Sequence, residues 1–228
     1  KYFESILDPN LDSYQKTAVS HLKGPIIVHS PAGSGKTRTI VNRIIFLLSR
    51  GVPSSKILAV AFNKKAAEEM KTRLVSLDIL DVNVRTLHSI AYEIVRDKFG
   101  WKFEDKSENE KYNSIINLID SSFNPGSGII SLISNSKMNL EHIDKIKEKY
   151  RHLEFNYPEF FFTFINKQFE TGIFTFDDMI YFALYALIND SSIRKLYQKR
   201  FDFVLVDEFQ DLNNAQLEMC KILAMPEN

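Results

Sequence analysis

The chain has 228 residues, of which 44% are hydrophobic and 25% are charged, and its 29 basic and 29 acidic residues give a formal net charge of zero. This is the composition of an ordinary globular protein with a sizeable core, and the balanced charge argues against a generic nucleic-acid binder. No run approaches the ~18 apolar residues that a membrane span needs, and a single cysteine, Cys220, excludes an internal disulfide. We therefore expect a cytoplasmic protein without a membrane partner.

Four apolar runs rich in β-branched residues predict buried parallel strands, at 25–29, 57–62, 82–86 and 203–206. Helical patterns separate the first three runs. One pattern spans 36–50 and is closed by Gly51; the other spans 63–77 and carries an apolar stripe formed by Ala67, Met70, Leu74 and Leu77. The alternation of strand and helix predicts an α/β domain with a parallel sheet.

This alternation stops at about residue 89, and from there to about 172 the sequence has helical patterns without a convincing strand. The run Ser107-Glu108-Asn109-Glu110 is a capping-box pattern that predicts the start of a helix. The fourth strand follows only after this helical block. We therefore predict one α/β domain formed by residues 1–90 and 173–228, with residues 91–172 inserted in it as an all-helical subdomain.

A phosphate-binding pattern lies between the first predicted strand and the first predicted helix, Ser30-Pro31-Ala32-Gly33-Ser34-Gly35-Lys36-Thr37. Its glycines let the backbone turn so that N–H groups point at phosphate oxygens, and the helix N-terminus adds partial positive charge. Lys36 would then reach the β- and γ-phosphates of a nucleotide, and the Thr37 hydroxyl would bind Mg²⁺. Ser30 stands where the pattern usually has its first glycine, but the strand-to-helix context is the one that the pattern requires.

Two adjacent carboxylates, Asp207 and Glu208, follow the fourth predicted strand. Ligands of open α/β sheets bind at the carboxyl ends of the strands, where these two side chains lie. Asp207 would hold Mg²⁺ through water, and Glu208 would orient or deprotonate an attacking water. The pair is commonplace alone, but a metal bound at Thr37 needs a carboxylate opposite it.

The run Asp207-Glu208-Phe209-Gln210-Asp211 resembles motif II of the UvrD/Rep/PcrA group of superfamily 1 helicases. Four further runs resemble motifs of that group in the group's own order: the Q motif, motif Ia, motif Ib and the segment that returns from the helical insertion. They lie at 11–19, 59–67, 86–89 and 175–179. The resemblance implies a RecA-like P-loop NTPase domain with a parallel sheet and an inserted all-helical subdomain.

For the nucleotide, the resemblance implies that ATP and Mg²⁺ are the cofactors. Gln15 would select adenine, and Arg38, next to the phosphate loop, would lie against the base. Lys36, Asp207 and Glu208 would carry the catalysis. Gln210 would sense the γ-phosphate and couple it to the DNA side of the protein.

For DNA, the resemblance implies that Phe62 stacks on a base of single-stranded DNA, with Asn63 and Lys64 beside it, and that Thr86 and His88 touch the backbone. Stacking on an aromatic ring tolerates any base sequence. The alternative for Phe62 is a core residue at the end of a strand, and the alternative for His88 is a structural histidine. Residues 14–100 contain 14 basic and six acidic residues, which is compatible with a phosphate track but does not decide the matter.

The implied function is that of the N-terminal part of an ATP-dependent DNA helicase, which translocates 3′→5′ on single-stranded DNA and unwinds duplex DNA. A second, C-terminal RecA-like domain would complete the ATP site with an arginine finger. Without it, we expect residues 1–228 to bind ATP but to hydrolyse it poorly. Three alternatives remain: a helicase–nuclease, a subunit of a defence system, and a nucleotide-dependent DNA-binding module that does not unwind DNA.

Overall fold

The computed structural model describes residues 2–31, 33–122, 128–141, 143–153 and 155–225. Its strands are β1 (Ile57–Ala61), β2 (Asn83–Thr86) and β3 (Phe203–Val206), and short 3₁₀ turns lie at Ser54–Lys56 and Phe209–Asp211. The helices are α1 (Tyr2–Ser5), α2 (Ser13–Ser20), α3 (Lys36–Ser49), α4 (Lys64–Val75), α5 (Leu87–Phe99), α6 (Glu108–Ile119), α7 (Ile129–Met138), α8 (Ile143–Lys149), α9 (Tyr157–Thr171), α10 (Asp178–Asn189), α11 (Ser191–Gln198) and α12 (Asn214–Ala224).

The three strands form one parallel sheet in the order β2-β1-β3. Strand β1 is buried at every position because it has a neighbour on both edges, whereas β3 is half-buried throughout. The prediction of an α/β fold with a parallel sheet is confirmed, and three of the four predicted strands form. Since the strands are parallel, the residues that follow all three leave the sheet at the same edge.

The predicted strand at 25–29 is wrong in this structure. The segment has no regular secondary structure, and the side chains of Ile26, Ile27 and Val28 are 38%, 60% and 48% exposed. A strand is held by hydrogen bonds to a neighbour, and among the described residues no strand pairs with this segment. The β-branched composition of the segment favours an extended, buried strand. A strand forms only where a neighbouring strand is present to pair with it, and composition does not determine that.

Helices α3 and α4 pack around β1 to form the core of the sheet. Apolar residues recur along α3 at helical spacing, so that one broad face of the helix is buried. Asn63 caps helix α4, and its side chain accepts a hydrogen bond from the Ala66 N–H. The helix buries three of the four residues of the predicted stripe, Ala67, Met70 and Leu74, whereas Leu77 lies beyond the end of the helix at Val75 and is partly buried. Gly51 follows α3 with a φ of 85°, as expected for a residue that ends a helix.

The helices from α6 to α9 share a core of aromatic and isoleucine side chains. The capping box predicted at the start of α6 is present, because Ser107 accepts from the Glu110 N–H and the Glu110 carboxylate accepts from the Ser107 N–H. A buried ion pair joins Lys137 on α7 to Asp178 on α10 at 2.5 Å. This pair lies among polar partners from two other helices, Tyr112 on α6 and Gln168 on α9.

The chain divides into two compact units. The sheet unit consists of Lys1–Leu87, Leu196–Asp211 and Leu223–Asn228, and the helical unit consists of His88–Lys195 and Leu212–Ile222. The helical unit thus includes α10, which lies beyond the residue 172 at which we ended the inserted subdomain. The predicted domain boundaries stay a prediction. None of the described helices is long and apolar enough to cross a membrane.

Candidate nucleotide and nucleic-acid sites

The phosphate loop of the sheet unit runs into the N-terminus of α3. Gly33 and Gly35 have φ values of 78° and 89°, a region that strains residues with a side chain. Gly35 is the N-cap of α3 and provides no side-chain cap, so the first N–H groups of the helix can face an anion. The Ser34 hydroxyl donates to the Pro31 carbonyl at 2.7 Å and closes the loop on itself. Ala32, which we also predicted here, lies outside the described residues.

The phosphate loop and the end of β3 meet at Thr37 and Asp207. The Asp207 backbone N–H donates to the Val60 carbonyl at 2.9 Å, which extends the sheet ladder by one residue and turns the carboxyl group toward α3. There the Thr37 hydroxyl lies near enough to lower the pKa of the carboxyl group. The two residues that we predicted as the metal pair are therefore close neighbours.

The donor set at this contact fits Mg²⁺. Burial raises the pKa of Asp207, and the hydrogen bond from the Glu208 N–H and the charge of Lys36 only partly oppose that effect. A buried carboxylate whose charge is disfavoured is stabilised by an incoming cation. Mg²⁺ takes hard oxygen ligands, commonly one or two from protein and the rest from phosphate and water. No group of three or more potential His, Cys, Asp or Glu ligands occurs in the described part of the chain, which is compatible with such a site.

Glu208 connects the phosphate loop with Gln210. Its carboxylate lies 3.3 Å from the Lys36 ammonium and accepts a hydrogen bond of 2.5 Å from the Gln210 amide. The Gln210 hydrogen bond, followed by the Lys36 ammonium, holds the pKa of Glu208 below its ordinary value despite some burial. The backbone of Glu208 has a φ of 51°, which is uncommon for a residue with a side chain and is the kind of strain that occurs at functional sites.

Gln15 lies against the phosphate loop at the start of α2. Its Nε2 donates to the Ser34 carbonyl at 3.1 Å, and its Oε1 accepts from the Asp12 N–H at 3.1 Å. These two bonds fix the amide plane and assign its two ends. One N–H and one lone pair of the amide are left over, and this is the pair that the N7 and N6 edge of an adenine requires.

Arg38 does not point freely into solvent. Its guanidinium is bound to Asp8, and Asn42, one turn further along α3, accepts a hydrogen bond from the Asp8 N–H at 2.9 Å. Asp8 and Asn42 were missed by sequence reasoning. No motif contains them, and the contact joins residues 30 positions apart.

Three of the predicted DNA-binding residues, Phe62, Asn63 and Lys64, follow β1. Phe62 is 53% exposed, so the alternative of a core residue is wrong. Lys64 is exposed as well. Asn63 uses its side-chain oxygen to cap α4, which gives it a structural role whether or not it also contacts a ligand. Thr86, at the end of β2, is half-buried.

His88, the first residue of the helical unit, is held in a cluster. Its ring stacks on Phe176 with centroids 4.1 Å apart, and its Nε2 lies 4.0 Å from an Asp177 carboxylate oxygen. Burial lowers the pKa of His88 to about 4, so the imidazole is neutral at pH 7 and offers a hydrogen bond rather than a charge. Phe176 is 48% exposed and was not singled out from the sequence, although it lies within the run 175–179.

Comparison with known proteins finds relatives that are named DNA helicases. The sequence profile of the UvrD/REP helicase N-terminal domain matches residues 11–228. The chain is 30% identical over 229 residues to the ATP-dependent DNA helicase Rep of Buchnera aphidicola subsp. Schizaphis graminum, covering 94% of this chain and 35% of that protein. It is also 30% identical over 240 residues to the ATP-dependent DNA helicase PcrA of Bacillus subtilis, covering 98% and 32%. The chain thus spans about a third of the length of the curated relatives it matches.

Proposed function

Because the chain belongs to the UvrD/REP helicase family, we propose that it is the nucleotide-binding part of an ATP-driven DNA motor. The observation that carries this proposal is that the phosphate loop meets the end of β3, where Lys36 lies 3.3 Å from Glu208 and Thr37 lies close to Asp207. Relatives that the chain matches along nearly all of its length are named ATP-dependent DNA helicases. The whole protein would translocate 3′→5′ on single-stranded DNA and separate duplex DNA ahead of it.

The nucleotide site would work through five kinds of contact. Lys36 and the N–H groups of α3 would bind the β- and γ-phosphates. Thr37 and Asp207 would hold Mg²⁺, which neutralises charge on the phosphates when it is bound. Glu208 would orient the attacking water and accept its proton. Gln210 would respond to the γ-phosphate, since it already binds the Glu208 carboxylate. The edge of the base would be read by the free N–H and lone pair of Gln15, and its face would lie against Arg38.

The remaining two thirds of the relatives' length would supply the other side of the ATP site. A second RecA-like domain would contribute an arginine that stabilises the charge developing on the γ-phosphate in the transition state. In the full-length protein, single-stranded DNA is expected to raise the rate of ATP hydrolysis by more than about tenfold. In residues 1–228 alone, the rate should hardly change. A coupled steady-state ATPase assay, with and without an oligonucleotide, measures both. Strong DNA stimulation of residues 1–228 alone would contradict this division of the catalytic machinery.

On the DNA side, we propose that Phe62 stacks on a base, and that Asn63, Lys64, Thr86 and His88 contact the strand. Phe62→Ala is expected to weaken binding of single-stranded DNA by about 1–3 kcal/mol, which is roughly five- to 150-fold in Kd, because one aromatic platform is lost. Fluorescence anisotropy with a labelled oligothymidine at fixed ionic strength measures the change.

The matched control for Phe62 is Leu80→Ala. Leu80 is 71% exposed and belongs to the same unit, so this variant also removes an exposed apolar side chain. Leu80→Ala should leave the Kd for DNA unchanged, and neither variant should lower the melting temperature appreciably. Equal Kd values for Phe62→Ala and the unmodified chain would exclude a stacking role for this ring.

A further inference from the structure

The guanidinium group of Arg38 is held along one edge by a single carboxylate. The Arg38 Nε donates to Asp8 Oδ2 at 2.5 Å, and a terminal nitrogen of the same guanidinium contacts the same oxygen. Two donors on one edge fix the plane of the group, which a single contact would leave free to rotate. The Arg38 side chain is 40% exposed, so the guanidinium remains accessible to a ligand.

Asp8 is itself fixed by helix α3. Its backbone N–H donates to Asn42 Oδ1 at 2.9 Å, and Asn42 Nδ2 donates to the Arg38 carbonyl at 2.9 Å. Asn42 is 4% exposed, so the side chain that makes both bonds is buried. The other oxygen of the Asp8 carboxylate accepts from the Asn10 N–H at 2.9 Å. Asp8 is therefore bound to α3 twice, through its backbone N–H to Asn42 and through its carboxylate to Arg38.

The segment that carries Asp8 also carries Gln15, and it is bound to α3 at its far end as well. The buried Arg43 donates to the carbonyl groups that end α2, those of Ala18, Val19 and His21. Gly35 lies between the two side chains that we assign to the base: a Cβ built on it would be 3.4 Å from Gln15 Nε2 and 3.7 Å from Arg38 Cβ.

We propose that Asp8 is a positioning residue for the nucleotide base, which holds the Arg38 guanidinium in the plane whose face lies against adenine. This inference rests on the proposed function, in which Arg38 contacts the base. A long, flexible side chain loses freedom when it binds, and a group that is already ordered loses less. Removing the Asp8 carboxylate is therefore expected to weaken ATP binding roughly two- to tenfold. The loss should come from the contact with the base, and the contacts with the phosphates should be unaffected.

The experiment compares binding of Mg²⁺-ATP with binding of Mg²⁺-tripolyphosphate, which has the phosphates but no base, by isothermal titration calorimetry of residues 1–228. The variants are Asp8→Asn, Arg38→Ala and the double variant. Asp8→Asn keeps the size of the side chain and the bond from Asn10 but removes the charge. The matched control is Asp202→Asn, which removes the partner of Lys56 in another ion pair of the same unit, at 3.5 Å.

Asp8→Asn should weaken ATP binding and leave tripolyphosphate binding unchanged, and it should have no further effect once Arg38 is alanine. Unchanged or tighter ATP binding in Asp8→Asn, or equal weakening for both probes, would overturn the positioning role. If Arg38→Ala itself leaves the ratio of the two affinities unchanged, the proposed contact between Arg38 and the base fails, and the role of Asp8 fails with it. A weaker ATP affinity in Arg38→Ala together with no change in Asp8→Asn would overturn only the role of Asp8.

Discussion

Lys36→Ala is expected to reduce the affinity of residues 1–228 for Mg²⁺-ATP by about 100-fold or more. A hydrogen bond to a charged group contributes about 1.5–3 kcal/mol, and the Lys36 ammonium can make two of them to the β- and γ-phosphates. The loss is compounded by Glu208, which lies 3.3 Å from Lys36. Once the ammonium is removed, the Glu208 carboxylate keeps the Gln210 amide as a partner but faces the incoming phosphates without a counter-charge from Lys36. Isothermal titration calorimetry or displacement of a fluorescent ATP analogue measures the affinity.

Two further variants separate these effects. Lys56→Ala removes another lysine of the sheet unit, one that pairs with Asp202 outside the phosphate loop, and should leave ATP affinity unchanged. Glu208→Gln in the Lys36→Ala background should recover part of the lost affinity because it removes the repulsion between carboxylate and phosphate. Unchanged ATP binding in Lys36→Ala would disprove the assignment of the phosphate loop.

The arrangement of the proposed nucleotide site could be predicted from the sequence because it follows from local chain order. A glycine-containing turn between an apolar run and a helix predicts where N–H groups point, and a carboxylate directly after a buried strand must lie at the sheet edge. Thr37 and Asp207 are 170 positions apart, but each has its position set by one element: Thr37 by the start of α3 and Asp207 by the end of β3. Once the strands are parallel, the two residues are expected to lie close together.

Other parts of the molecule depend on partners that no local pattern names. The segment 25–29 has the composition of a strand, but whether it pairs depends on which chain lies beside it. Asp8 reaches Arg38 across 30 positions with no motif on its side of the contact. For His88, the residue type predicts a titratable ring, whereas the burial that lowers its pKa to about 4 comes from the fold around it.

The polar cluster buried in the helical unit also depends on partners that are distant in the sequence. Its central residue is Asp178. Asp178 is 1% exposed, and its carboxylate accepts hydrogen bonds from four groups: the Lys137 ammonium, the Tyr112 hydroxyl, the Gln168 amide and the Thr175 N–H. Three of these partners lie on α6, α7 and α9. Four helices therefore converge on one carboxylate, over sequence separations of up to 66 residues.

Asp178→Ala is expected to destabilise the helical unit by about 3–5 kcal/mol because it leaves the ammonium of Lys137 buried without a counter-charge. Lys137 is 2% exposed, and in the described part of the chain the Gln168 and Tyr112 oxygens are its remaining acceptors. Native-state hydrogen exchange of α7, α9 and α10 is the suitable measurement, because it reports the opening free energy of this unit separately from that of the sheet. The exposed pair of Lys167 and Glu170 provides the control: Glu170→Ala should change the free energy by no more than about 0.5 kcal/mol.

The double variant Lys137→Met/Asp178→Ala distinguishes a buried charge from simple loss of packing. Removing both charges should cost less than Asp178→Ala alone, since no unpaired ion then remains in the core. The pH dependence gives an independent check. Burial would raise the pKa of Asp178, but the Lys137 ammonium and the other donors outweigh it and hold the pKa below the ordinary 3.8. The folded state thus favours the carboxylate, so its stabilisation is fully present above pH ~3.8 and is lost as the pH falls through the lower, folded-state pKa. A double variant as unstable as Asp178→Ala would show that the cluster acts through shape and not through charge.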